Sequence, residues 1–120
     1  MTAIITINKS RIQAMSTNGR QKGKRGELEL SHKLQEFGFD TRRGQQYCGS
    51  NGDADVVGLP GIHIECKRVE KLNLEAAMDQ SIRDSSSGET PVVAHRKNRT
   101  PWLVTMRLDD FIRLYKKGEE

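Results

Sequence analysis

The stretch DADVVGLPGIHIECKRV, Asp53–Val69, decides the fold of this chain. A valine pair is followed by the turn-forming sequence GLPG, and apolar and ionisable side chains then alternate from position 62 to position 67. Alternation with a period of two is typical of a β-strand with one buried face. The two runs and the turn between them predict a β-hairpin. We expect Cys66 to face the core and His63 to be a partly exposed strand residue rather than a metal ligand.

The length of the hairpin loop determines which ionisable side chains lie opposite each other. If Leu59–Gly61 form a three-residue loop with Gly61 in the left-handed conformation, Asp55 lies opposite Glu65. Directly opposed residues are about 5 Å apart at Cβ, where two negative charges repel unless a cation lies between them. Lys67, two residues further along the same face, adds an ammonium group, and a hard ion such as Mg²⁺ suits this set. In the alternative two-residue loop Asp55 and Glu65 do not meet, and Glu65 and Lys67 form an ordinary exposed ion pair.

An amphipathic helix precedes the hairpin. The segment GELELSHKLQEFG, residues 26–38, places Leu30, Leu34 and Phe37 on one helical stripe. It ends in a glycine of the kind that closes helices. We therefore predict that this stripe is buried against the rest of the domain.

Three charged side chains of this helix occupy distinct positions. Glu27 heads the buried stripe, where it is either a functional carboxylate or an ordinary first-turn acid favoured by the helix dipole. Glu29 and Lys33 fall on the solvent side, four residues apart.

The remaining segments complete an α/β pattern. The run FDTRRGQQY predicts a short strand that carries Arg42 and Arg43, and Asn73 can cap a second helix. The runs PVVAH and PWLVTM predict two further strands on either side of the basic turn RKNRT, and LDDFIRLYKK predicts a closing helix. Because the second helix crosses over between strands, we predict an α/β fold with a mixed sheet of about five strands flanked by helices.

Length and composition narrow the class of protein. The 120 residues fit one compact domain, and 20 Lys and Arg against 16 Asp and Glu give a net charge of +4, which permits a polyanionic partner. We predict a flexible basic arm over residues 1–22 and a single domain over residues 23–120. No apolar run is long enough for a membrane span, and the scattered cysteines and histidines form no zinc or disulfide pattern. We expect a soluble cytoplasmic protein with no membrane partner and no organic cofactor.

Several short motifs together resemble one nuclease family. Asp55, followed after nine residues by the triplet ECK and preceded by the helical Glu27, resembles the PD-(D/E)xK nuclease signature. The run KGKRGE, the helix ending in GF, the loop CGSNG and the runs DADVV and IECKR are similar, in order and spacing, to archaeal-type and phage Holliday junction resolvases. This resemblance covers residues 22–68. It implies a restriction-endonuclease-like core and a metal-dependent DNA endonuclease.

The resemblance implies a role for individual residues of the hairpin and the helices. Glu27, Asp55 and Glu65 would hold Mg²⁺, with Mn²⁺ as a substitute, and Lys67 would serve the attacking water. Gln80 matches the helix glutamine that many of these nucleases place near the lysine. The alternative for Gln80 is a polar residue at the edge of a helix.

The expected DNA contacts are basic residues around the first helix together with a loop serine. They are Arg20, Lys22, Lys24, Arg25, Arg42, Arg43 and Ser50. The basic run before the helix could equally be a solvated segment, and Ser50 a turn residue.

One position departs from the family pattern. The proline that the family has before its hairpin aspartate is Ala54 here, and Asp53 is an additional acid. We assign the metal to Asp55, which shares the face of Glu65, rather than to Asp53, which is opposite Lys67 in the same register.

The leading interpretation is a Holliday junction resolvase that cuts branched DNA at four-way junctions as a homodimer, in a bacterial, archaeal or phage-infected cell. A first alternative is a flap, single-strand or duplex DNA nuclease of the same fold. A second is a basic DNA-binding module whose acids are structural. The expected dimer interface combines the PVVAH and PWLVTM strands with the closing helix, where apolar area is offered by Trp102, Phe111, Ile112 and Tyr115.

Overall fold

The computed structural model describes residue 21, residues 23–44 and residues 54–119. Its elements follow the predicted order of helix, three strands, helix, two strands and helix. They are α1 (23–36), β1 (Arg42–Arg43), β2 (Val56–Val57), β3 (Ile62–Arg68), α2 (Leu74–Asp84), β4 (Thr90–Arg96), β5 (Leu103–Thr105) and α3 (Leu108–Glu119). Predictions for the arm, residues 1–22, and for the loop 45–53 fall almost wholly outside the described residues.

In the described ranges, five strands form one mixed sheet in the order β1-β2-β3-β4-β5. β3 and β4 are parallel, and the other neighbouring strands are antiparallel. Parallel neighbours need a crossover connection, which α2 supplies. The predicted α/β fold, a mixed five-stranded sheet flanked by helices, is confirmed.

The hairpin of β2 and β3 has the predicted three-residue loop. Val56 pairs with Ile64, and Gly61 has a φ of +85°. This conformation favours glycine because a Cβ would be crowded there. Asp55 directly precedes β2, and its N–H donates to the Ile64 carbonyl over 3.0 Å, so it adjoins Glu65 across the hairpin. The alternative two-residue loop is therefore excluded.

The main apolar core lies between α1 and one face of the sheet. Its buried members are Leu30, Val56, Ile64, Cys66, Val92 and Ala94. α1 approaches β3 most closely at Gly26, where an added Cβ would lie 2.5 Å from the Cβ of Arg68. The N-terminal half of α1 therefore rests directly on the end of β3.

The second helix packs across β3 and β4. Asn73 caps α2, as predicted, because its side chain accepts a hydrogen bond of 3.1 Å from a first-turn N–H. Ser81 is buried and donates its hydroxyl to the Val92 carbonyl over 2.9 Å. Strand residues that alternate with the core cluster point to the opposite face, and two of them, His63 and Glu65, are buried there.

One stripe of α3 is apolar and exposed. Its large side chains are 40 to 71% exposed, and they are Leu108, Phe111, Ile112 and Tyr115. Another side of the helix is anchored by the buried Asp110, which accepts hydrogen bonds from Arg107 and Arg113. No helix within the described ranges is long and apolar enough to cross a membrane.

Two packing predictions are wrong. Phe37 does not join the buried stripe and is 69% exposed, because α1 ends at residue 36 and Phe37 already belongs to the following turn. The PVVAH run is not an outer surface, because β4 is an interior strand whose central residues are buried. Trp102 is partly buried against the core. Of the predicted interface, exposed apolar side chains thus remain on β5 and α3, while Leu28, Phe37 and Phe39 form further exposed apolar positions on and after α1.

Candidate active site

Asp55 and Glu65 form a buried carboxyl pair. Asp55 directly precedes β2, and Glu65 lies on β3, which extends beyond the start of β2. Asp55 is 6% exposed and Glu65 is 4% exposed. The Cys66 N–H donates to Oδ2 of Asp55 over 2.8 Å, and the carboxyl of Glu65 is hydrogen-bonded to that of Asp55. The pair follows from the hairpin register that the three-residue loop imposes.

The surroundings of Glu65 disfavour its charged form. Burial and then the charge of Asp55 raise the pKa of Glu65 to about 8. The ammonium of Lys67, 3.6 Å from Oε1 of Glu65, opposes this shift without cancelling it. In the metal-free protein Glu65 therefore keeps its proton at neutral pH. A divalent cation would supply the positive charge that this proton provides.

Glu27 reaches the same region from α1. Its Oε2 accepts a hydrogen bond from Nε of Arg43 over 2.9 Å. Burial raises the pKa of Glu27 above its ordinary value, the hydrogen bond from Arg43 opposes this, and the charge of Asp55 adds to it. Glu27 is therefore close enough to Asp55 for the two charges to influence each other.

The donor set fits a hard divalent cation. Mg²⁺ takes oxygen ligands and is usually held by one or two carboxylates plus waters, which is what Asp55 and Glu65 offer. Among the described residues, no three Asp, Glu, His or Cys side chains are grouped closely enough to hold a metal ion. The structure thus brings two of the three expected ligands together. Glu27, bound to Arg43, is their neighbour.

The helix glutamine lies on α2 above the same sheet. Gln80 is half-buried and directly precedes Ser81, whose hydroxyl lies 3.4 Å from the His63 carbonyl on β3. Asp84, one turn further, is close enough for its charge to contribute to the raised pKa of Glu65. α2 therefore places Asp84 near Glu65 and carries Gln80 next to Ser81, which contacts β3.

The prediction that His63 is partly exposed is wrong. His63 is 3% exposed, and its Nδ1 is 3.6 Å from Oε1 of Glu89 in the segment before β4. Together with Ala54 and Asp84 it lines a cavity of about 340 Å³. Strand alternation placed His63 on the correct face. Its burial depends on α2 and on the segment that follows, which the sequence of one strand does not specify.

The predicted DNA contacts differ in their surroundings. Outside the described residues lie Arg20, Lys22 and Ser50, and also the competing acid Asp53. Lys24 and Arg25 are exposed in the first turns of α1, and Arg42 is exposed on β1. Arg43 is half-buried in its ion pair with Glu27. Its charge is therefore already balanced within the protein.

A charge cluster that sequence reasoning missed joins α1 to the sheet. Glu29 accepts hydrogen bonds from Arg68, over 3.3 Å, and from Arg96. These arginines end two parallel strands and are paired in register. Lys33 has a different partner, Glu36, at 3.1 Å. The sequence predicts that the strand PVVAH ends before Arg96 and places Arg96 in the turn RKNRT, whereas β4 extends through Arg96.

Comparisons with known proteins bear on the fold. No protein-family model matches the sequence, and no curated protein matches it. The structure is similar to that of Hjc, a Holliday junction resolvase from the archaeal hyperthermophile Archaeoglobus fulgidus, with a TM-score of 0.54 and 24% sequence identity. The match covers 71% of this chain and 72% of that one. The chain therefore shares the fold of this resolvase structure.

Proposed function

We propose that this protein is a Mg²⁺-dependent DNA endonuclease whose substrate is branched DNA with a four-way junction. The observation that carries the proposal is the buried Asp55–Glu65 pair. Two buried carboxyls side by side destabilise a fold unless a proton or a cation lies between them. A cation site in a protein with the fold of a Holliday junction resolvase supports phosphodiester hydrolysis at a junction.

Asp55 and Glu65 would hold the metal ion, with Glu27 as a further carboxylate from α1. When bound, Mg²⁺ would polarise a phosphodiester and lower the pKa of a bound water. The Cys66 N–H holds the carboxylate of Asp55 against β3. β3 is itself paired on both sides, so the pair stands on a rigid part of the sheet.

Lys67 would act on the reacting groups. Its side chain is 31% exposed and its Nζ is 3.6 Å from Glu65, so the ammonium lies between the carboxyl pair and solvent. In this position it can orient the attacking water or share the charge that develops on the phosphate. Gln80, on α2, would assist Lys67 in placing that water.

A site built from carboxylates needs cationic neighbours to hold a polyanion. We assign this role to Arg20, Lys22, Lys24, Arg25 and Arg42, with Ser50 from the loop, whereas Arg43, predicted together with them, is paired with Glu27. Deleting residues 1–21, or replacing Lys24 and Arg25 by glutamine, should flatten the plot of log affinity against log salt by about 0.9 per lost contact. An unchanged slope would show that these residues do not contact phosphates.

Two copies of the chain would act together. Symmetric resolution of a four-way junction requires two nicks related by a two-fold axis, and a two-fold dimer supplies paired sites at a fixed separation. The exposed apolar stripe of α3 offers the kind of surface that a second copy covers. We therefore place the dimer interface on α3 and the neighbouring exposed residues of β5.

The experiment compares cleavage of a labelled four-way junction with cleavage of a linear duplex and a flap built from the same strands. Each reaction contains Mg²⁺, Mn²⁺ or a chelator, and Glu65→Gln protein is the matched control because it keeps the shape of the side chain. Junction-selective cutting that needs both the metal and Glu65 supports the proposal. Equal cutting of all substrates identifies a broader nuclease. Binding without cutting identifies a DNA-binding module with structural acids.

A further inference from the structure

The turn between β4 and β5, residues 97–100, is held by hydrogen bonds within itself. The Thr100 hydroxyl donates to the Lys97 carbonyl over 2.9 Å, and the Thr100 N–H donates to the same carbonyl over 3.3 Å. Nε of Arg96 donates to the Thr100 carbonyl over 2.6 Å. The turn is thereby closed and tied to the last residue of β4.

Asn98 ties the same turn to the segment at the end of β3. Its N–H donates to Oε2 of Glu70 over 2.6 Å, and its Oδ1 accepts a hydrogen bond of 3.1 Å from Arg68. The next residue, Arg99, has a φ of +64°, which is uncommon for a residue other than glycine. Such conformations persist where the surrounding structure fixes them, and they are frequent at ligand-binding positions.

The acidic side chains around the turn already bind other groups of the protein. Glu29 is paired with both strand-terminal arginines, and Glu70 is bonded to the turn backbone and lies 3.9 Å from Arg68. Lys97 and Arg99 are exposed, and neither forms a salt bridge with a side chain in the described part of the protein. The turn therefore presents two unbalanced positive charges on a fixed backbone.

The turn lies at the end of the sheet where β3, the strand that carries Glu65, ends. β3 and β4 are parallel, with Glu65 beside Val93 and Arg68 beside Arg96. Lys97 follows Val93 by four residues, so with about 3.3 Å per residue and about 4.8 Å between strands it lies roughly 14 Å from Glu65. This is the length of about four base pairs of a DNA duplex.

We propose that this basic turn binds the phosphate backbone of duplex DNA, about four base pairs from the phosphate that is cut. The proposal rests on the proposed function, because Glu65 is taken to mark the cut phosphate. Lys97 and Arg99 supply the charge, and a turn that is already fixed loses little freedom on binding. Such contacts position a duplex without reading its sequence.

The test measures DNA affinity without cleavage. A labelled duplex and a labelled four-way junction are titrated with the full chain in a chelator over a range of salt concentrations. The test variant, Lys97→Gln with Arg99→Gly, removes both charges, and glycine accepts the positive φ. The control, Arg83→Gln with Lys117→Gln, removes the same charge at exposed positions of α2 and α3 that lie away from the apolar stripe. Lys117 lines the same cavity as Thr90. Thr90 is the first residue of β4, so Lys117 lies at the end of that strand opposite the turn.

We expect the slope of log affinity against log salt to fall by about 1.8 in the test variant, at about 0.9 per phosphate contact, and to stay unchanged in the control. If the test variant does not fold, Lys97→Gln alone should lower the slope by about 0.9. A slope that falls equally in both variants, or in neither, overturns the role of the turn and leaves the nuclease standing, because wild-type cleavage is measured separately. Wild-type protein that does not bind DNA at all overturns both.

Discussion

The contact between α1 and β3 can be tested with two glycines of the same helix. Replacing a helical glycine by alanine ordinarily stabilises a protein by about 0.5–1 kcal/mol, because alanine restricts the unfolded chain. At Gly23 the added Cβ would meet no atom within 4 Å, so Gly23→Ala should show this gain. At Gly26 the Cβ would lie 2.5 Å from the Cβ of Arg68. Gly26→Ala should therefore behave differently.

The size of the difference follows from the packing distance. Carbon atoms in contact are about 3.5–4.0 Å apart, so α1 or β3 must move by about 1 Å to admit the new methyl group. The Cβ of Arg68 is attached to strand backbone and cannot turn aside. Overpacking of this kind costs about 1–3 kcal/mol, and the stability of Gly26→Ala should fall below that of Gly23→Ala by this amount.

Urea unfolding of the two variants and the wild type measures this difference directly. Cleavage supplies a second readout, because Glu27, which we propose as a further carboxylate of the site, follows Gly26, and a shift of about 1 Å in such a group can lower the rate by about 10²-fold. Gly23→Ala should keep full activity. Equal stabilisation by both substitutions would refute the close packing of α1 on β3, and with it the placement of Glu27.

Four further outcomes are expected. Asp55→Asn should abolish cleavage while DNA affinity stays or rises, because a proposed metal ligand and a charge that repels phosphate are both lost. Glu65→Gln should also abolish cleavage, with DNA affinity nearly unchanged in the metal-free protein, because Glu65 is already protonated there at neutral pH; wild-type turnover in both variants would exclude the metal site. Lys67→Ala should lower kcat and leave the Kd for DNA nearly unchanged, since its proposed role is in the transition state; an equal loss of affinity would contradict that role. In the metal-free protein, folded Glu65 keeps its proton up to a pKa of about 8, whereas the unfolded chain releases it near the ordinary value of 4.5. The folded state then binds more protons, so between about pH 5 and about pH 8 the free energy of unfolding should fall, by at most about 1.4 kcal/mol per pH unit. A urea series at different pH checks this, with Glu65→Gln as the variant that lacks the slope, and parallel curves would contradict the raised pKa. Phe111→Ser with Tyr115→Ser should convert a dimer into a monomer in light scattering, and a monomer mass for the wild type at micromolar concentration would defeat the dimer.

The local sequence was sufficient to predict the hairpin and the pairing of its two carboxyl groups, Asp55 and Glu65. The alternation in β3, the turn residues and Gly61 all lie within one short stretch, and together they determine which residue faces which. Asn73 could be recognised as a cap for the same reason, because a cap depends on residues within one helical turn. The element order and the sheet type followed from these local patterns.

Contacts between elements could not be predicted in the same way. His63 is buried because α2 and the segment after it cover that face, and Phe37 is exposed because α1 ends one residue earlier. The partners of Glu29 are strand ends that are distant in sequence. Each of these facts depends on where one element packs against another, which periodicity within a single element does not determine. The residues that form the carboxyl pair were found because they are hairpin neighbours.

The long strands of the described sheet lie in its interior and the short strands lie at its edges, and this affects how copies of the chain can associate. β3 and β4 have seven residues each, whereas the outer strands β1 and β5 have two and three. Long runs of unpaired N–H and C=O groups recruit strands from other molecules and start fibrils. Here the aggregation-prone runs are enclosed, and β1 consists of two arginines that repel an approaching cationic strand. The edges of the sheet in the described residues thus favour a proposed dimer that meets through side-chain surfaces, and such association can be reversed by dilution where strand-by-strand growth could not.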